Sequence, residues 1–258
     1  MRISLFQYQI DPLDPTRNLQ KIDTAARDAS DTGSHLLLLP ELCLHGYNYR
    51  DFPRMTEWFL PEVNAAIQAI CDRWQVNISG TFIEKEGNSF YNTFALFSAN
   101  SIESMRYRKT HLFNQLGEGD FFTPGDGFAL LGTDPLPIAA AICYDIRFPE
   151  QFRKLTDLGC QLFLISAEWP AARVDHWRAL LISRAIENQA YVVAVNCCGK
   201  VFNTEFAGNS IAIDPWGTIL GELGTVESCL NFDIDPGKVK DIRSRFPVLD
   251  DIRRDLYL

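Results

Sequence analysis

Cys143 has the surroundings that most clearly suggest chemistry, because it ends the apolar run 136–143 just before a predicted helix with Pro149 near its first turn. A cysteine between a strand and a helix lies near backbone N–H groups that have no partner, and these groups stabilise a thiolate. A thiolate attacks carbonyl carbons, and the N–H of Tyr144 would lie beside the oxyanion that forms. On this pattern alone, a small buried cysteine that only ends a strand is the simpler interpretation.

Two more polar residues follow predicted strands. Glu41 comes after the apolar run 36–39 and Pro40, and Lys109 stands where the strand predicted over residues 102–108 ends. A glutamate in such a place could transfer protons, and a lysine could hold a developing negative charge. The simpler alternatives are a capping or ion-paired glutamate and a solvated surface lysine.

Three motifs in the order Glu, Lys, Cys surround these residues: Pro40-Glu41-Leu42 with Gly46-Tyr47, then Tyr107-Arg-Lys109-Thr-His-Leu-Phe, then Ile142-Cys143-Tyr-Asp-Ile-Arg-Phe-Pro-Glu150. Their order and spacing resemble the nitrilase superfamily of carbon–nitrogen hydrolases. The likeness runs from the first predicted strand to Asp233. It implies an α/β fold built as a four-layer α-β-β-α sandwich in a single domain over 1–258. It also implies a catalytic triad of Glu41, Lys109 and Cys143.

The same resemblance implies a second glutamate in the loop that follows the lysine. Glu118, within the run 117–126, occupies that place, and the nearby Asp120 is its competitor. A solvent-facing loop acid is the alternative interpretation of Glu118. The family pattern favours a role in the site.

The reaction implied by the resemblance is the hydrolysis of an amide through a thioester on Cys143. Lys109 and the N–H of Tyr144 would hold the oxyanion. Glu41 would take the thiol proton, pass it to the departing ammonia and then activate water. Glu118 would hold Lys109 or the substrate amide in place. This chemistry needs no metal and no organic cofactor.

Five other residues invite a chemical interpretation, and a structural one is favoured for each. His111 and His176 are predicted to order loops by hydrogen bonds, since the chain has only four histidines and no papain-type sequence around the cysteine. Cys197 and Cys198 are adjacent on a predicted strand and would point to opposite faces, which favours packing. Arg147 is predicted to form an ion pair that supports the turn after the nucleophile.

The substrate class is suggested by two segments. Nitrilases usually carry Trp-Glu after the cysteine, whereas Tyr144-Asp in this chain resembles the amidase branch. The runs 167–177 and 184–191 resemble the bacterial omega-amidase group, which hydrolyses omega-amides of 2-oxo dicarboxylates such as 2-oxoglutaramate. Arg173 is the candidate for the substrate carboxylate, with a salt bridge or a helix-start contact as the alternative. Glu168 places an acid beside the predicted pocket, which argues against an anionic substrate.

Other functions stay open at this stage. An N-carbamoyl amino acid hydrolase or a ureidopropionase would use the same residues on a different substrate. A non-catalytic binding protein on the same fold is a second class, although the four intact site residues argue against it. Acyl transfer would need an acceptor site and usually a lipid-facing segment, and the sequence shows neither.

Composition restricts the partners and the location. The chain has 258 residues, a net charge of -9 and no cluster of Lys or Arg, so binding to nucleic acid is not expected. No stretch approaches the roughly 18 apolar residues of a membrane span, and polar residues interrupt the N-terminus too early for a signal peptide. Seven cysteines without a CxxC pair are predicted to be reduced thiols in a cytoplasmic protein. The resemblance also implies a homodimer or larger homo-oligomer, to which the C-terminal tail 250–258 could contribute.

Apolar periodicity predicts alternating helices and strands. The predicted helices cover residues 14–31, 56–74, 148–158 and 174–189. The predicted strands cover residues 2–8, 35–39, 76–85, 89–98, 102–108, 136–143, 161–166, 191–196, 208–213, 218–221 and 229–233. Residues 109–127 are predicted to form a long glycine-rich loop.

Overall fold

Fourteen strands lie within the part of the chain that the computed structural model describes, which is residues 1–52, 60–99, 105–132 and 136–257. In chain order they are β1 Arg2–Gln7, β2 Leu36–Leu38, β3 Asn77–Glu86, β4 Ser89–Phe97, β5 Met105–Arg108, β6 Leu130–Leu131, β7 Ile138–Ile142, β8 Leu162–Ala167, β9 Tyr191–Asn196, β10 Cys198–Val201, β11 Thr204–Ala207, β12 Ile211–Ile213, β13 Ile219–Glu222 and β14 Ser228–Asp233.

The strands form two six-stranded sheets and a hairpin. The first sheet has the order β14-β1-β2-β3-β4-β5, and the second has the order β13-β12-β9-β8-β7-β6. Strands β1, β2 and β3 are parallel, as are β7, β8 and β9, while the outer strands pair antiparallel. The remaining two strands, β10 and β11, form the antiparallel hairpin.

Six α-helices accompany the sheets in the described residues: α1 Pro15–Asp31, α2 Leu60–Trp74, α3 Pro149–Asp157, α4 Val174–Asn188, α5 Gly237–Arg245 and α6 Arg254–Tyr257. Helices α1 and α2 cover one face of the first sheet, and α4 packs on β9 and β12 of the second. None of the helices in these ranges is long and apolar enough to cross a membrane.

Side-chain alternation along the strands separates two cores. Leu36 and Leu38 of β2 join the core that the two sheets share, whereas Leu37 between them joins the core beneath α1 and α2. This is the period of two that a strand imposes on its side chains. Because both faces of β2 are buried, its sequence is wholly apolar rather than alternating. The predicted four-layer α-β-β-α sandwich is confirmed.

The predicted elements agree with the structure except in a few places. The hairpin β10–β11, the short β6 and α5 were not predicted, and residues 109–127 contain two 3-10 turns, at Asn114–Leu116 and Glu118–Asp120. The strand predicted to end at Cys143 ends at Ile142 instead. The first residues of two predicted elements, 56–59 and 102–104, lie outside the described residues.

The three residues of the predicted triad lie where strands of the two sheets end. The chain leaves β2 towards Glu41, β5 towards Lys109 and β7 towards Cys143. A hydrogen bond of 2.7 Å from Ser166 Oγ on β8 to the carbonyl of Leu39 joins the two sheets close to this edge, and both groups are buried.

Ser166→Ala should lower the free energy of unfolding by about 1–3 kcal/mol, because it leaves the buried carbonyl of Leu39 without this donor. Urea unfolding of both proteins measures the difference. Ser183→Ala is the matched control, since Ser183 lies exposed on α4 and bonds only its own helix, and it should change stability by less than about 0.5 kcal/mol. Equal stability of Ser166→Ala and wild type would contradict the role given to this bond.

Candidate active site

The turn after β7 holds the candidate nucleophile in an unusual backbone conformation. Cys143 has a φ of 43°, in the left-handed region that residues other than glycine seldom adopt. It is the first residue of a 3-10 helix, Cys143–Arg147, that follows directly on the buried strand. Strained backbone of this kind persists only where surrounding contacts determine it.

Asp145 supplies those contacts. This fully buried carboxylate accepts hydrogen bonds from the N–H of Ile142 at 2.8 Å and from the hydroxyl of Tyr107 at 2.8 Å. Its other oxygen accepts from the N–H of His111 at 3.1 Å and contacts His111 Nδ1 at 2.8 Å. The loop-ordering role predicted for His111 is confirmed, whereas Asp145 was missed. Its sequence signal was only an acid two residues after the cysteine.

Lys109 lies fully buried between two carboxylates. Its Nζ is 2.8 Å from Glu41 Oε1, and 2.9 and 2.8 Å from the two oxygens of Glu118. Burial alone would lower the pKa of this amine, but Glu118 and Glu41 outweigh burial and raise the pKa well above its ordinary value. Lys109 is therefore a permanent cation within the site.

Glu118 is held as the partner of that cation. Its Oε1 also accepts from Asn92 Nδ2 at 3.2 Å, and its Oε2 accepts from the N–H of Phe113 at 2.7 Å. Burial and the neighbouring Glu41 raise the pKa of Glu118, and Lys109 opposes them. Because N–H donors face both oxygens, a carboxyl proton would have no acceptor, so the carboxylate form fits the geometry. The competitor Asp120 is exposed.

Glu41 connects the cation to the nucleophile. Its Oε1 accepts from Lys109 and from Asn92 Nδ2 at 2.7 Å, and its Oε2 accepts from the N–H of Glu168 at 2.9 Å. The charge of the same carboxylate also acts on the thiol of Cys143, whose pKa it raises after burial. Asn92, which touches both Glu41 and Glu118, was not predicted. A lone asparagine within a strand gives no sequence signal.

The thiol of Cys143 is protonated at rest. Burial first, and then the charge of Glu41, raise its pKa well above the ordinary value, and Lys109 only partly opposes them. The thiol also points at the carbonyl of Glu168, with Sγ 3.8 Å from that oxygen. A thiol in this state must lose its proton before or during an attack on a carbonyl, and Glu41 is the carboxylate whose charge acts on it most.

Aromatic and cationic side chains surround the pocket above Cys143. Tyr47, Phe113, Tyr144, Trp169 and Arg173 line it together with Arg147. The guanidinium carbon of Arg147 lies 4.7 Å from the ring centre of Trp169, and that of Arg173 lies 5.1 Å from Phe113. Within the described chain neither arginine has a salt-bridge partner.

The predicted ion pair of Arg147 is therefore wrong for the part of the chain that is described. Its polar side-chain contact is with His176, whose Nδ1 is 3.3 Å from the guanidinium. The nearest acid in sequence, Asp145, cannot serve, because both of its oxygens are already engaged by Ile142, Tyr107 and His111. Among the described residues neither guanidinium is paired with a carboxylate.

Glu168 lies in the wall of the same pocket, as the sequence suggested, but its side chain is fully buried. Its Oε1 is 3.8 Å from the thiol of Cys197, and its Oε2 has no hydrogen-bond partner in the described residues. Burial and then Glu41 raise the pKa of this carboxyl well above its ordinary value. These surroundings favour the uncharged form of Glu168, which would not repel an anionic substrate.

The described residues contain no group of three or more His, Cys, Asp or Glu placed to hold a metal ion.

The four side chains that the resemblance assigned to catalysis do meet. Tyr144 follows in the first turn of the 3-10 helix, where backbone N–H groups have no partner within the helix.

Comparison with known proteins identifies the family to which this chain belongs. Residues 2–244 match the carbon-nitrogen hydrolase family. The chain belongs to that family, and it is a hydrolase of carbon–nitrogen bonds other than peptide bonds.

Individual relatives cover nearly the whole chain. The 2-oxoglutaramate amidase of Bacillus subtilis (strain 168) is 36% identical over 256 residues, which are 99% of this chain and 98% of that protein. A CN-hydrolase superfamily protein from Xanthomonas campestris, with an arsenic adduct in its active site, superimposes with a TM-score of 0.91 at 28% identity and covers 98% of this chain and 97% of its own.

A mutant amidase from Nesterenkonia sp. AN1 is similar as well. It carries the acetamide moiety of fluoroacetamide on its active-site cysteine, and it superimposes with a TM-score of 0.88 at 29% identity over 100% of this chain and 95% of its own. The resemblance inferred from the three sequence motifs is confirmed.

Asp145→Asn should lower the free energy of unfolding by about 2–4 kcal/mol, because an amide has one acceptor oxygen for donors that face two carboxylate oxygens. Urea unfolding measures this loss. The exposed Asp120 gives the matched control, and Asp120→Asn should stay within about 0.5 kcal/mol of wild type. If Asp145→Asn were as stable as the control, the carboxylate would not be what holds the turn.

Proposed function

We propose that this chain is an omega-amidase that hydrolyses the omega-amide of a 2-oxo dicarboxylate such as 2-oxoglutaramate, releasing ammonia and the dicarboxylate. The observation that carries the proposal is the contact of Lys109 with Glu41 and Glu118, together with the backbone of Glu168, whose N–H bonds Glu41 and whose carbonyl accepts from Cys143. The similarity to a 2-oxoglutaramate amidase supports the choice of substrate.

The first half of the reaction is acyl transfer to Cys143. Sγ bonds to the amide carbon while the thiol proton moves to Glu41, and the carbonyl oxygen becomes an oxyanion. Lys109 and the N–H of Tyr144 stabilise that oxyanion. Lys109 touches both oxygens of Glu118, so it can turn one N–H to the oxyanion and keep a contact to each carboxylate.

Breakdown of this intermediate releases ammonia. The carbon–nitrogen bond breaks as Glu41 returns the proton to nitrogen, which leaves a thioester on Cys143 and an ionised Glu41. Water then attacks the thioester carbon and gives a proton to Glu41. The carbon–sulfur bond breaks, the thiol regains that proton, and the acid leaves. One glutamate thus serves both halves without a net change in its protonation.

The far end of the substrate carries a carboxylate, and the pocket offers two guanidinium groups for it. Arg173 was predicted for this role, and Arg147 lies on the same pocket with its charge unpaired in the described residues. Guanidinium groups stacked on aromatic rings bind planar carboxylates well. Because the uncharged form of Glu168 is favoured, this residue does not oppose the binding.

An N-carbamoyl amino acid hydrolase is the second candidate, because its substrate also joins an amide-type carbon to a carboxylate that Arg147 and Arg173 could bind. A non-catalytic binding protein is disfavoured, since the buried cluster of Glu41, Lys109, Glu118 and Cys143 is costly to maintain without chemistry.

The homodimer and the cytoplasmic location stay predictions. Exposed apolar side chains on the outer helical layer of the second sheet and near the C-terminus, namely Leu158, Ile186 and Phe246, support a self-association surface on that side.

Ammonia release from a substrate panel tests the proposed function. The panel holds 2-oxoglutaramate, 2-oxosuccinamate, glutamine, an N-carbamoyl amino acid and a simple nitrile. We expect turnover of the two 2-oxo acid amides and at least a 10³-fold loss in Cys143→Ala, because the nucleophile is removed. Turnover of the carbamoyl compound alone would favour the second candidate, and activity that survived Cys143→Ala would overturn the mechanism.

Arg173→Gln should raise the KM for 2-oxoglutaramate by about 10–100-fold with little change in kcat, because charge-assisted bonds of about 1.5–3 kcal/mol are lost. Steady-state kinetics with the neutral butyramide should be unchanged. The matched control is Arg178→Gln, whose arginine lies on α4 and pairs with Glu222. An equal loss on both substrates would show that Arg173 does not recognise a carboxylate.

A further inference from the structure

The main chain of Glu168 touches both groups that exchange the catalytic proton. Its N–H donates to Glu41 Oε2 at 2.9 Å, and its carbonyl oxygen accepts from the thiol of Cys143 with a separation of 3.8 Å. The residue follows directly on β8, whose end is buried. A shift of this one residue would therefore move the base and the nucleophile relative to each other.

The side chain of Glu168 fixes that position from behind. It is fully buried, and its Oε1 lies 3.8 Å from Cys197 Sγ. On its other side is Gly46, where an added Cβ would lie only 3.1 Å from the same oxygen. Gly46 has a φ of +55° and belongs to the segment after Glu41. The carboxyl group thus packs between that segment and the end of β9.

Among the described residues no cation contacts this carboxyl: Arg147 and Arg173 line the same pocket but form no hydrogen bond or ion pair with it. Besides burial, the groups that influence it are Glu41, the thiol of Cys197, Lys109 and Glu118. Lys109 already directs its N–H groups at the other two carboxylates. A third carboxylate would give the cluster two more negative than positive charges, out of contact with water.

The other titratable groups around it are neutral. Burial raises the pKa of the thiols Cys43 and Cys197 and of the hydroxyls Tyr8 and Tyr49, so these groups are uncharged at pH 7. No hydrogen-bond donor contacts Oε2 in the described part of the chain. Oε2 has no acceptor for a proton either, but an unpartnered neutral carboxyl costs less to bury than an unpartnered carboxylate, so the surroundings favour the protonated form.

We propose that Glu168 is a positioning residue of the amidase reaction: its uncharged carboxyl group anchors the backbone that holds Glu41 against Cys143 and adds no third negative charge beside Lys109. The role of Glu168 rests on the proposed function only in that Glu41 and Cys143 exchange the proton. Its charge state and its effect on the thiol can be measured without any substrate.

The charge state has a consequence for stability. The folded chain binds the Glu168 proton more tightly than the unfolded chain, whose glutamates have an ordinary pKa of about 4.3. Above that pH the folded form holds more protons than the unfolded form, so this residue makes the free energy of unfolding fall as pH rises. A glutamine has the same shape and removes that contribution.

The first test follows the melting temperature of wild type, Glu168→Gln and the control Glu205→Gln from pH 5 to pH 8. Glu205 lies exposed on β11. We expect the difference between Glu168→Gln and wild type to shift in favour of the variant by about 3 °C or more over this range. The difference for Glu205→Gln should stay constant. A constant difference for Glu168→Gln would overturn the neutral carboxyl.

The second test measures alkylation of Cys143 by iodoacetamide at pH 7.5, read by mass spectrometry of its peptide, together with kcat and KM. Glu168→Gln should stay within about threefold of wild type in all three, because shape and charge are kept. Glu168→Ala should lower the alkylation rate and kcat at least tenfold and leave KM within about threefold, because misplacement of Glu41 affects the chemical step.

Each outcome bears on a different claim. A tenfold change in alkylation by Glu168→Gln would mean that Glu168 acts through a charge, and normal alkylation in a folded Glu168→Ala would remove its positioning role. If Glu168→Ala does not fold, the results for Glu168→Gln still decide the charge state. Glu168→Met then takes the place of Glu168→Ala in the alkylation test, because methionine is similar in size to glutamate but offers no oxygen acceptor to Cys197. Absence of ammonia release with the expected melting and alkylation results would reject the substrate and leave the role of Glu168 in place.

Discussion

The buried contact of Lys109 with two carboxylates is the interaction on which the rest of the structure depends. An ammonium group taken out of water is costly unless opposite charges and hydrogen bonds replace its hydration. Glu41 and Glu118 provide both, and Asn92 donates to each of them. These residues come from two strand ends, a neighbouring strand and a short helical turn. The first sheet and the loop 109–127 can therefore adopt this arrangement only when these four side chains are in contact.

The second sheet completes the site by bringing strained backbone to this charged cluster. Cys143 adopts a left-handed φ because Asp145 binds the backbone N–H just before it and ties the turn to Tyr107 and His111. The residue after β8, Glu168, then donates its N–H to Glu41 across the gap between the sheets. Packing of the two sheets thus sets the distance between Glu41 and Cys143, which neither sheet determines alone.

The site combines a dry, nearly neutral interior with a cationic mouth. Inside, one lysine faces carboxylates and a protonated thiol, and desolvation strengthens each of these interactions. At the mouth, Arg147 and Arg173 stack on aromatic rings without an acidic partner in the described chain. A substrate with a neutral amide at one end and a carboxylate at the other matches both parts. This division is the structural basis of the proposal that the substrate is an omega-amide with a carboxylate at its far end.

The sequence by itself indicated the family, the sandwich that the family implies and the four residues at the centre of the site. Glu41, Lys109 and Cys143 each follow or end a predicted strand within a recognisable motif, and Glu118 was found from the family pattern of the loop after Lys109. It did not reveal Asp145, whose partner Tyr107 lies 38 residues away, or Asn92, whose partner Glu41 lies 51 residues away. It also missed the polar helix α5 and the short hairpin β10–β11, because neither has a periodic apolar pattern. Only the tertiary structure decided that Arg147 has no acidic partner among the described residues and that the surroundings of Glu168 favour its uncharged form. The physical reason is that a charge state depends on which groups from distant segments surround a side chain, and on how much water they exclude.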